Sequence, residues 1–149
     1  MLNKQEAPFT TGRFYYMSKG EEKISGILKA AGLAYVREKT FNDLKHGLFR
    51  FDFWVTLRDG RDVVIEYNGE QHYQFVSKFY RRNADWMKAR EHDRRKISYC
   101  LANGIDIYIV PYWELEQVSC ADDLLRPDFK AKTRWHNDEV WDKKRRQDV

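Results

Sequence analysis

Asp52 and Glu66 are carboxylates on two neighbouring segments of the sequence that could face each other. The segments, 48–57 and 61–68, carry strand-like apolar patterns on either side of a short turn, which is typical of a β-hairpin. Residues directly opposite each other on a hairpin have Cβ atoms roughly 4.5–5.5 Å apart, so two carboxylates placed there repel. A divalent cation between them would relieve the repulsion, because hard cations such as Mg²⁺ bind carboxylate oxygens. The alternative is the solvated polar face of an amphipathic hairpin.

The turn of the hairpin decides whether Asp52 and Glu66 pair. A two-residue turn at Asp59-Gly60 would set Phe53 opposite Glu66 instead. A three-residue loop, in which Gly60 adopts the left-handed conformation and forms a bulge, sets Asp52 opposite Glu66. Only the second register aligns the apolar side chains of both strands on one face, since a slip of one residue reverses every side chain. The sequence therefore predicts the three-residue loop.

Glu21 is a candidate third carboxylate, on a helix predicted to begin at Ser18. It precedes Ile24 by three residues and Leu28 by seven, so it lies on the buried stripe of that helix. A glutamate three residues after a serine is also the spacing of a capping box, in which Glu21 would accept a hydrogen bond from the Ser18 amide. Glu21 is thus either a ligand that points at the sheet or a helix cap.

Glu66 also lies in a longer segment whose order of residue types is recognisable. Residues 64–73 read VIEYNGEQHY, and a predicted helix after them carries Asp93 and Lys96 on one stripe. The strand that follows this helix ends in the Pro-Tyr pair at 111–112. In order with the acidic residues described above, this pattern resembles the PD-(D/E)XK, or restriction-endonuclease-like, nuclease superfamily. The E-Y-N-G-x-Q-H-Y segment resembles a signature of small phage and bacterial endonucleases in that superfamily.

The resemblance covers about residues 18–113 and implies an α/β fold with an α-β-β-β-α-β core, in which helices flank a small mixed sheet. It implies a metal-dependent DNA endonuclease of phage or mobile-element type, with Mg²⁺ as the cofactor and Mn²⁺ as a substitute. The metal ligands would be Glu21, Asp52 and Glu66. Phosphodiester hydrolysis requires such a cation, which generates a nucleophilic hydroxide and neutralises charge on the scissile phosphate.

Asn68 departs from the superfamily pattern, which has a lysine two residues after the strand carboxylate. An amide cannot supply the positive charge of that lysine, so another group must replace it. The candidates are Lys96, oriented by Asp93, and the Gln71-His72 pair. The predicted catalytic residues are therefore Asp52, Glu66, Asn68, Gln71, His72 and Lys96. If no group replaces the lysine, the chain is instead a catalytically inactive nuclease-fold module that binds nucleic acid.

Residues 78–96 form a basic segment, with eight Lys/Arg residues against three acidic ones. Aromatic residues are interleaved with the charges, and such a segment beside an acidic metal site suits a phosphate-binding surface. The residues expected to contact nucleic acid are Lys78, Arg81, Arg82, Lys88, Arg94 and Arg95. The alternative is the ordinary solvated face of a helix.

The surrounding elements must bring these residues to one sheet. Beside the hairpin, the sequence predicts a helix from Ser18 to Gly32, strands at 35–41 and 105–110, a helix from 85 or 86 to 103 and a short helix near 113–118. We divide the chain into an N-terminal arm (1–17), a nuclease-like core (18–118) and a basic C-terminal extension (119–149). The part from residue 126 is either a docked helix or a loose tail.

The composition limits the classes of function. The 149 residues suffice for one domain, and 42% hydrophobic with 15% aromatic residues exclude wholesale disorder. No apolar run approaches the roughly 20 residues of a membrane-spanning helix, and residues 1–10 lack the apolar stretch of a signal peptide. Two cysteines make no disulfide framework, so we expect a cytoplasmic protein, including one inside a phage-infected host. The net charge of +4 suits a polyanionic partner such as DNA, and without a long apolar run we expect no membrane partner. A homodimer and a protein-interaction domain with incidental acids stay open.

Overall fold

A computed structural model of the chain describes residues 17–148, so the predicted N-terminal arm lies outside the described residues except for Met17. The helices are α1 (Lys19–Ala30), α2 (Asn83–Ala102), α3 (Ala121–Leu124) and α4 (His136–Gln147). The strands are β1 (Ala34–Lys39), β2 (Phe51–Thr56), β3 (Asp62–Asn68) and β4 (Asp106–Pro111). Their order through β4 confirms the predicted α-β-β-β-α-β arrangement and the α/β fold class.

The four strands form one mixed sheet in the order β1-β2-β3-β4. Strands β1, β2 and β3 are antiparallel neighbours, whereas β3 and β4 run parallel. Parallel neighbours need a long crossover connection, and here that connection contains α2. The crossover brings α2 against the sheet beside the carboxyl end of β3, where the predicted motif begins.

The sheet separates two apolar cores. The α1-side core packs helix α1 on the sheet and comprises Ile24, Ile27, Leu28, Tyr35, Phe53, Val55, Val63, Ile65, Tyr108, Val110, Val118, Leu124 and Phe129. The α2-side core packs helix α2 on the opposite face and comprises Leu44, Phe49, Phe51, Val64, Ile97, Cys100, Ile107, Ile109 and Ala131. Burial of this apolar surface fixes both helices on the sheet and thereby fixes the side chains that they carry.

The β2–β3 hairpin has the predicted three-residue loop. Phe53 pairs with Ile65, which is the register that sets position 52 opposite position 66. Gly60 has φ +89, in the left-handed region that a bulge of this type requires. The Leu57 amide donates to the Arg61 carbonyl oxygen at 2.8 Å and closes the loop. Turn chemistry therefore sets the register of the hairpin, as expected.

The apolar alternation of β2 is broken at Asp52. The sequence pattern predicts Phe49, Phe51, Phe53 and Val55 on one face of the sheet, and this prediction is wrong. Phe53 and Val55 belong to the α1-side core, whereas Phe49 and Phe51 belong to the α2-side core. The change of face occurs where the Asp52 amide donates to the Glu66 side chain and the backbone ladder between β2 and β3 has ended, although Phe51 still pairs with Lys39 of β1.

The C-terminal segment packs against the sheet. Leu124 and Phe129 belong to the α1-side core, and the Ala131 amide donates to the Ile107 carbonyl oxygen at 3.0 Å along the free edge of β4. Of the two alternatives for the chain from residue 126, the structure has the docked helix, α4. Covering the free edge of β4 also removes a site at which another strand could add to the sheet.

Several element boundaries differ from the predicted ones. Strand β1 ends at Lys39 instead of 41, one residue after Glu38, which has a left-handed φ of 56. Helix α2 begins at Asn83, two residues early, and the short helix near 113–118 is a 3₁₀ turn over Tyr112–Gln117. None of the helices described for residues 17–148 is long and apolar enough to cross a membrane.

Candidate active site

Asp52 and Glu66 bind each other's strands through their carboxylates. The Asp52 amide donates to Glu66 Oε2 at 2.8 Å, and the Tyr67 amide donates to Asp52 Oδ2 at 2.8 Å. The two side chains thus replace the backbone ladder at the point where β2 and β3 separate. This exchange holds two carboxylates beside each other at the edge of the hairpin, as the predicted register requires.

The carboxyl group of Asp52 has a pKa well above its usual value. Burial is the largest cause, and the neighbouring Glu66 carboxylate adds to it. Lys96 and the Tyr67 amide act in the opposite direction without cancelling the increase. Two acids in this position therefore favour the binding of positive charge, either a proton or a cation.

Lys96 supplies a positive charge to this pair from helix α2. Its Nζ forms an ion pair with Glu66 Oε1 and lies 4.9 Å from the centre of the Phe51 ring. Burial by itself lowers the pKa of Lys96, but Glu66, Asp52 and Asp93 raise it above its usual value. Lys96 therefore stays charged, and it occupies the sheet-facing stripe of α2 on which it was predicted.

Asp93 is bound to His72. The His72 Nδ1 and Asp93 Oδ2 atoms are 2.8 Å apart. Burial raises the pKa of Asp93, but His72, Lys96 and Arg90 together outweigh it and hold the pKa below its usual value. The expectation that Asp93 orients the Lys96 ammonium group by direct contact is corrected: the hydrogen bond of Asp93 goes to His72, and the ion pair of Lys96 goes to Glu66.

The residues of the 68–72 segment turn the chain back towards these groups. Asn68 is buried and, with Glu66, Asp93 and Lys96, borders a small cavity of about 10 Å³. The Gln71 carbonyl oxygen accepts a hydrogen bond from Trp86 Nε1 at 2.7 Å, which ties the segment to α2. A side chain on Gly69 would bring its Cβ within 2.7 Å of Gln71 Oε1, so glycine allows Gln71 to fold back over it.

A larger cavity of about 410 Å³ opens on the other side of Asp52. It is lined by Ser18, Glu21, Asp52, Tyr67, Gly69, Gln71, His72 and Phe79. This cavity brings together four of the predicted site residues: Glu21, Asp52, Gln71 and His72. The ring of Phe79 is 54% exposed at its border, which leaves an apolar surface beside the carboxylates.

Glu21 forms the capping box that was the alternative to a ligand role. The Ser18 amide donates to Glu21 Oε2 at 2.9 Å, and the Glu21 amide donates to Ser18 Oγ at 3.2 Å. The other oxygen of Glu21, Oε1, is 3.8 Å from Arg37 Nη2. Glu21 borders the cavity of Asp52, but both of its oxygens already have partners in the protein.

The donor atoms around Asp52 suit a hard cation, with two carboxylates as ligands. Among residues 17–148, no group of three or more His, Cys, Asp or Glu side chains converges closely enough to hold a metal ion. Mg²⁺ commonly binds proteins through one or two carboxylates and keeps several water ligands. Asp52 and Glu66 supply two such carboxylates. Both oxygens of Glu66 already have partners, the Asp52 amide and Lys96, as do both oxygens of Glu21, so either glutamate would bind the cation through an oxygen that is already engaged.

Glu38 is an acidic residue of this cluster that the sequence analysis missed. The pairs Arg37–Phe53 and Lys39–Phe51 flank it, so it lies across from Asp52 in the β1–β2 register. Burial raises the pKa of Glu38, and Glu21 and Glu66 raise it further against the opposite effect of Arg37. The carboxylate is therefore close enough to feel the other acids. No turn motif in the 40–50 loop reveals the β1–β2 register, so the sequence pattern does not predict that Glu38 lies beside the other acids.

Arg37 lies between the acids on the α1 side of the sheet. Its side chain is 4% exposed, its Nη2 is 3.5 Å from Glu38 Oε1, and its guanidinium lies 5.7 Å from the centre of the Phe53 ring. The Nε atom of Arg37 has no hydrogen-bond partner among the described residues. Arg37 thus balances the charge of Glu21 and Glu38 without a close hydrogen bond to either.

The predicted nucleic-acid contacts divide into two groups. Lys78, Arg81, Arg82, Lys88 and Arg95 are exposed, as a phosphate-binding surface requires. Arg94 instead faces helix α4, where its Nη2 is 3.1 Å from Asp138 Oδ1. Its Nη1 is 3.3 Å from Oε2 of Glu91, on its own helix. Arg94 therefore contributes first to the packing of α4 on α2.

Comparison with known proteins does not assign a family or a function to this chain. No protein-family model, no curated protein and no solved structure matches this chain. The resemblance to the PD-(D/E)XK superfamily consequently rests on the order of the motif residues in the sequence.

Proposed function

We propose that this chain is a metal-dependent DNA endonuclease of the PD-(D/E)XK type, of the kind that phages or mobile elements encode. The observation that carries the proposal is the constellation of Asp52, Glu66 and Lys96. Each of two carboxylates accepts a hydrogen bond from a backbone amide of the other's strand, and a lysine from a helix contacts one of them. Convergence of these groups from three elements is what hydrolysis of a phosphodiester needs, because it combines cation binding with a fixed positive charge.

Each residue of this constellation has a chemical task. Asp52 and Glu66 would hold Mg²⁺, or Mn²⁺ in its place, which when bound supplies a nucleophilic hydroxide and neutralises phosphate charge. Lys96 remains charged next to Glu66 and can stabilise the negative charge that builds on the phosphate. In other hydrolases a well-placed donor of this kind contributes about 2.7–4 kcal/mol to transition-state stabilisation.

Lys96 replaces the strand lysine that Asn68 does not provide. Asn68 and Lys96 border the same small cavity beside Glu66, so a charge delivered from α2 can reach the place that a lysine at position 68 would occupy. His72 is a second candidate for handling protons. Its Nδ1 is bound to Asp93, which leaves Nε2 as the nitrogen that can act in the cavity it shares with Asp52.

The competing proposal is a nuclease-fold module that binds DNA without cutting it. Two observations favour it: Asn68 stands at the lysine position, and both oxygens of Glu21 have protein partners. The two proposals agree on DNA as the partner and on action inside the cell. They differ only in whether Lys96 and the two strand carboxylates support chemistry.

The test is incubation of the purified protein with supercoiled, linear and branched DNA in Mg²⁺, in Mn²⁺ and in EDTA. We expect cleavage of at least one substrate with either metal ion, none in EDTA, and none with Asp52→Asn. DNA binding by that variant, measured by fluorescence anisotropy, should persist. Binding without cleavage of any substrate in either metal ion would establish the competing proposal.

The strand outcome depends on the number of sites in the active particle. One constellation acts on one phosphodiester at a time, so a monomer would nick and a homodimer could cut both strands. Light scattering with and without DNA distinguishes these states. A correlation of double-strand breaks with dimer formation would support the homodimer.

A further inference from the structure

A second cavity lies between helices α2 and α4, beside the candidate active site. Its volume is about 380 Å³, within the range of roughly 300–1,000 Å³ that small-molecule sites occupy. Its walls include three aromatic rings and five charged side chains: Tyr73, Trp86, Trp141, Arg90, Arg94, Arg145, Asp138 and Asp142. The proposed cleavage chemistry uses none of these residues.

The aromatic walls are fixed in place. The rings of Tyr73 and Trp141 are stacked, with centroids 5.8 Å apart and an interplanar angle of 29°. The hydrogen bond from Trp86 Nε1 to the Gln71 carbonyl oxygen, at 2.7 Å, holds the third ring. Rigid aromatic faces next to positive charge are what proteins use to stack unpaired bases, because every base has a π-face.

Arg90 lines this cavity and carries a buried donor without a hydrogen-bond partner among residues 17–148. Its residue is 5% exposed, and its Nη2 donates to Asp138 Oδ1 at 2.6 Å. Its Nη1 has no hydrogen-bond partner within residues 17–148, and its guanidinium lies 5.6 Å from the centre of the Trp86 ring. A buried unpaired donor is unfavourable, so a planar ligand with acceptor atoms on its edge would be bound there with a gain. Nucleobases combine such an edge with a stacking face.

Residues that are neighbours in the chain line this cavity and the cavity at the proposed site of cleavage. Tyr73 lines it, and the preceding residue, His72, lines the cavity of Asp52. Arg90 precedes Asp93, the partner of His72, by one turn of α2. A nucleotide next to a phosphate at Asp52 can therefore reach the second cavity if its base leaves the helical stack.

We propose that the cavity between α2 and α4 binds an unpaired nucleobase that flanks the scissile phosphate, so that DNA with an unstacked base is the preferred substrate. This proposal rests on the proposed endonuclease function for the position of the phosphate. Base stacking on aromatic residues is strong enough to change affinity by about fivefold or more for a single base.

The test measures binding in EDTA, where cleavage plays no part. Duplexes that carry one unpaired nucleotide are compared with the same duplexes in which that nucleotide is abasic, by anisotropy and by quenching of tryptophan fluorescence. We expect the protein to bind the duplex with the base at least about fivefold more tightly. Arg90→Met and Trp86→Leu should abolish this difference while they retain the affinity for the abasic duplex.

Arg95→Met is the matched control, because Arg95 lies on the same helix but is exposed and does not line the cavity. It should weaken binding to both duplexes equally and preserve the base-dependent difference. Thermal melts check that each variant is folded, and the comparison of base with abasic duplexes in the unmodified protein is decisive if a variant is not.

Equal affinity for the two duplexes in the unmodified protein would overturn the inference, even if the protein cleaves DNA. A base-dependent difference in a protein that never cleaves would support the cavity and refute the endonuclease proposal. The two failures are therefore distinguishable in one set of substrates.

Discussion

Lys96 and Glu66 form an ion pair between helix α2 and strand β3, and this pair puts the only lysine of the constellation beside its carboxylates. The lysine is close to the sheet because Ile97 and Cys100 of the same helix are buried in the α2-side core. A charge at this place thus depends on packing between a helix and a sheet. A lysine at position 68 would depend only on the strand itself.

Replacement of Lys96 tests this relationship most directly. Lys96→Ala should reduce the cleavage rate by roughly 100-fold or more, because it removes a donor near the scissile phosphate. DNA binding, measured by anisotropy, should be retained, and Asn68→Lys in the same chain should restore part of the rate. Normal cleavage by Lys96→Ala together with an inactive His72→Ala would assign the role to His72.

The two strand carboxylates should differ in their effect on stability. Asp52→Asn removes a buried charge that its neighbour disfavours, so we expect the melting temperature to stay the same or rise in metal-free buffer. Glu66→Gln leaves the ammonium group of Lys96 without its ionic partner, and loss of one member of a buried pair is destabilising. Both variants should be inactive. Differential scanning calorimetry checks the order, and equal melting temperatures would contradict it.

Glu38 combines an unfavourable backbone conformation with a carboxylate that can help the acidic cluster to bind a cation. Its φ of 56 is unfavourable for a residue with a side chain, but its carboxylate is also an ionic partner of the buried Arg37. Glu38→Gly relieves the strain and loses the charge, so it should be more stable by about 1 kcal/mol than a variant that loses the charge alone. Glu38→Gln keeps the strain and removes only the charge. If Glu38 contributes to the acidic cluster, both variants should weaken Mn²⁺ binding in calorimetric titrations, and the glycine variant should melt at a higher temperature than the glutamine variant.

The exposed and the docked arginines should behave differently. Arg81→Ala with Arg82→Ala should weaken DNA binding and reduce the slope of affinity against salt concentration by roughly one unit for each lost phosphate contact. Arg94→Ala should instead lower the stability of the fold, because Arg94 bonds Asp138 on α4. An unchanged salt slope in the double variant would place the DNA on another surface.

His136, at the beginning of α4, should make stability depend on pH. Burial holds the pKa of its imidazole below the usual value, although Glu139 and Asp128 partly oppose this. His136 binds a proton less tightly in the folded protein than in the unfolded chain. Its contribution to the free energy of unfolding is therefore complete above about pH 6.5, and it is lost as the pH falls through the lowered pKa. The urea midpoint should therefore drop between about pH 7 and about pH 5, and His136→Gln should reduce the drop. An identical drop in that variant would exclude His136 as the source.

Local sequence signals predicted the parts of the site that depend on local chemistry. Gly60 determined the hairpin loop, and with it the pairing of positions 52 and 66. The serine-glutamate spacing at Ser18 predicted the capping box as one of two alternatives for Glu21. The stripe of α2 predicted that Lys96 would face the sheet, since helical periodicity needs no knowledge of the rest of the fold.

The features that failed to follow from the sequence depend on distant partners. Arg94 turns towards Asp138, which is 44 residues away and belongs to a helix whose docking the pattern left open. Glu38 joins the acids through a left-handed backbone and a register that an irregular loop sets. Phe51 changes face where the Glu66 side chain interrupts the ladder between β2 and β3. In each case a tertiary contact overrides the local period.

Because Lys96 belongs to a helix and its carboxylate partner to a strand, the site can lose its activity at a lower temperature than the one at which the sheet unfolds. Partial loosening of α2 from the sheet would break the contact with Glu66 while the β2–β3 hairpin, with its own hydrogen bonds, stays formed. On heating, cleavage should therefore stop before the sheet melts, and it should return on cooling without the need to refold the chain.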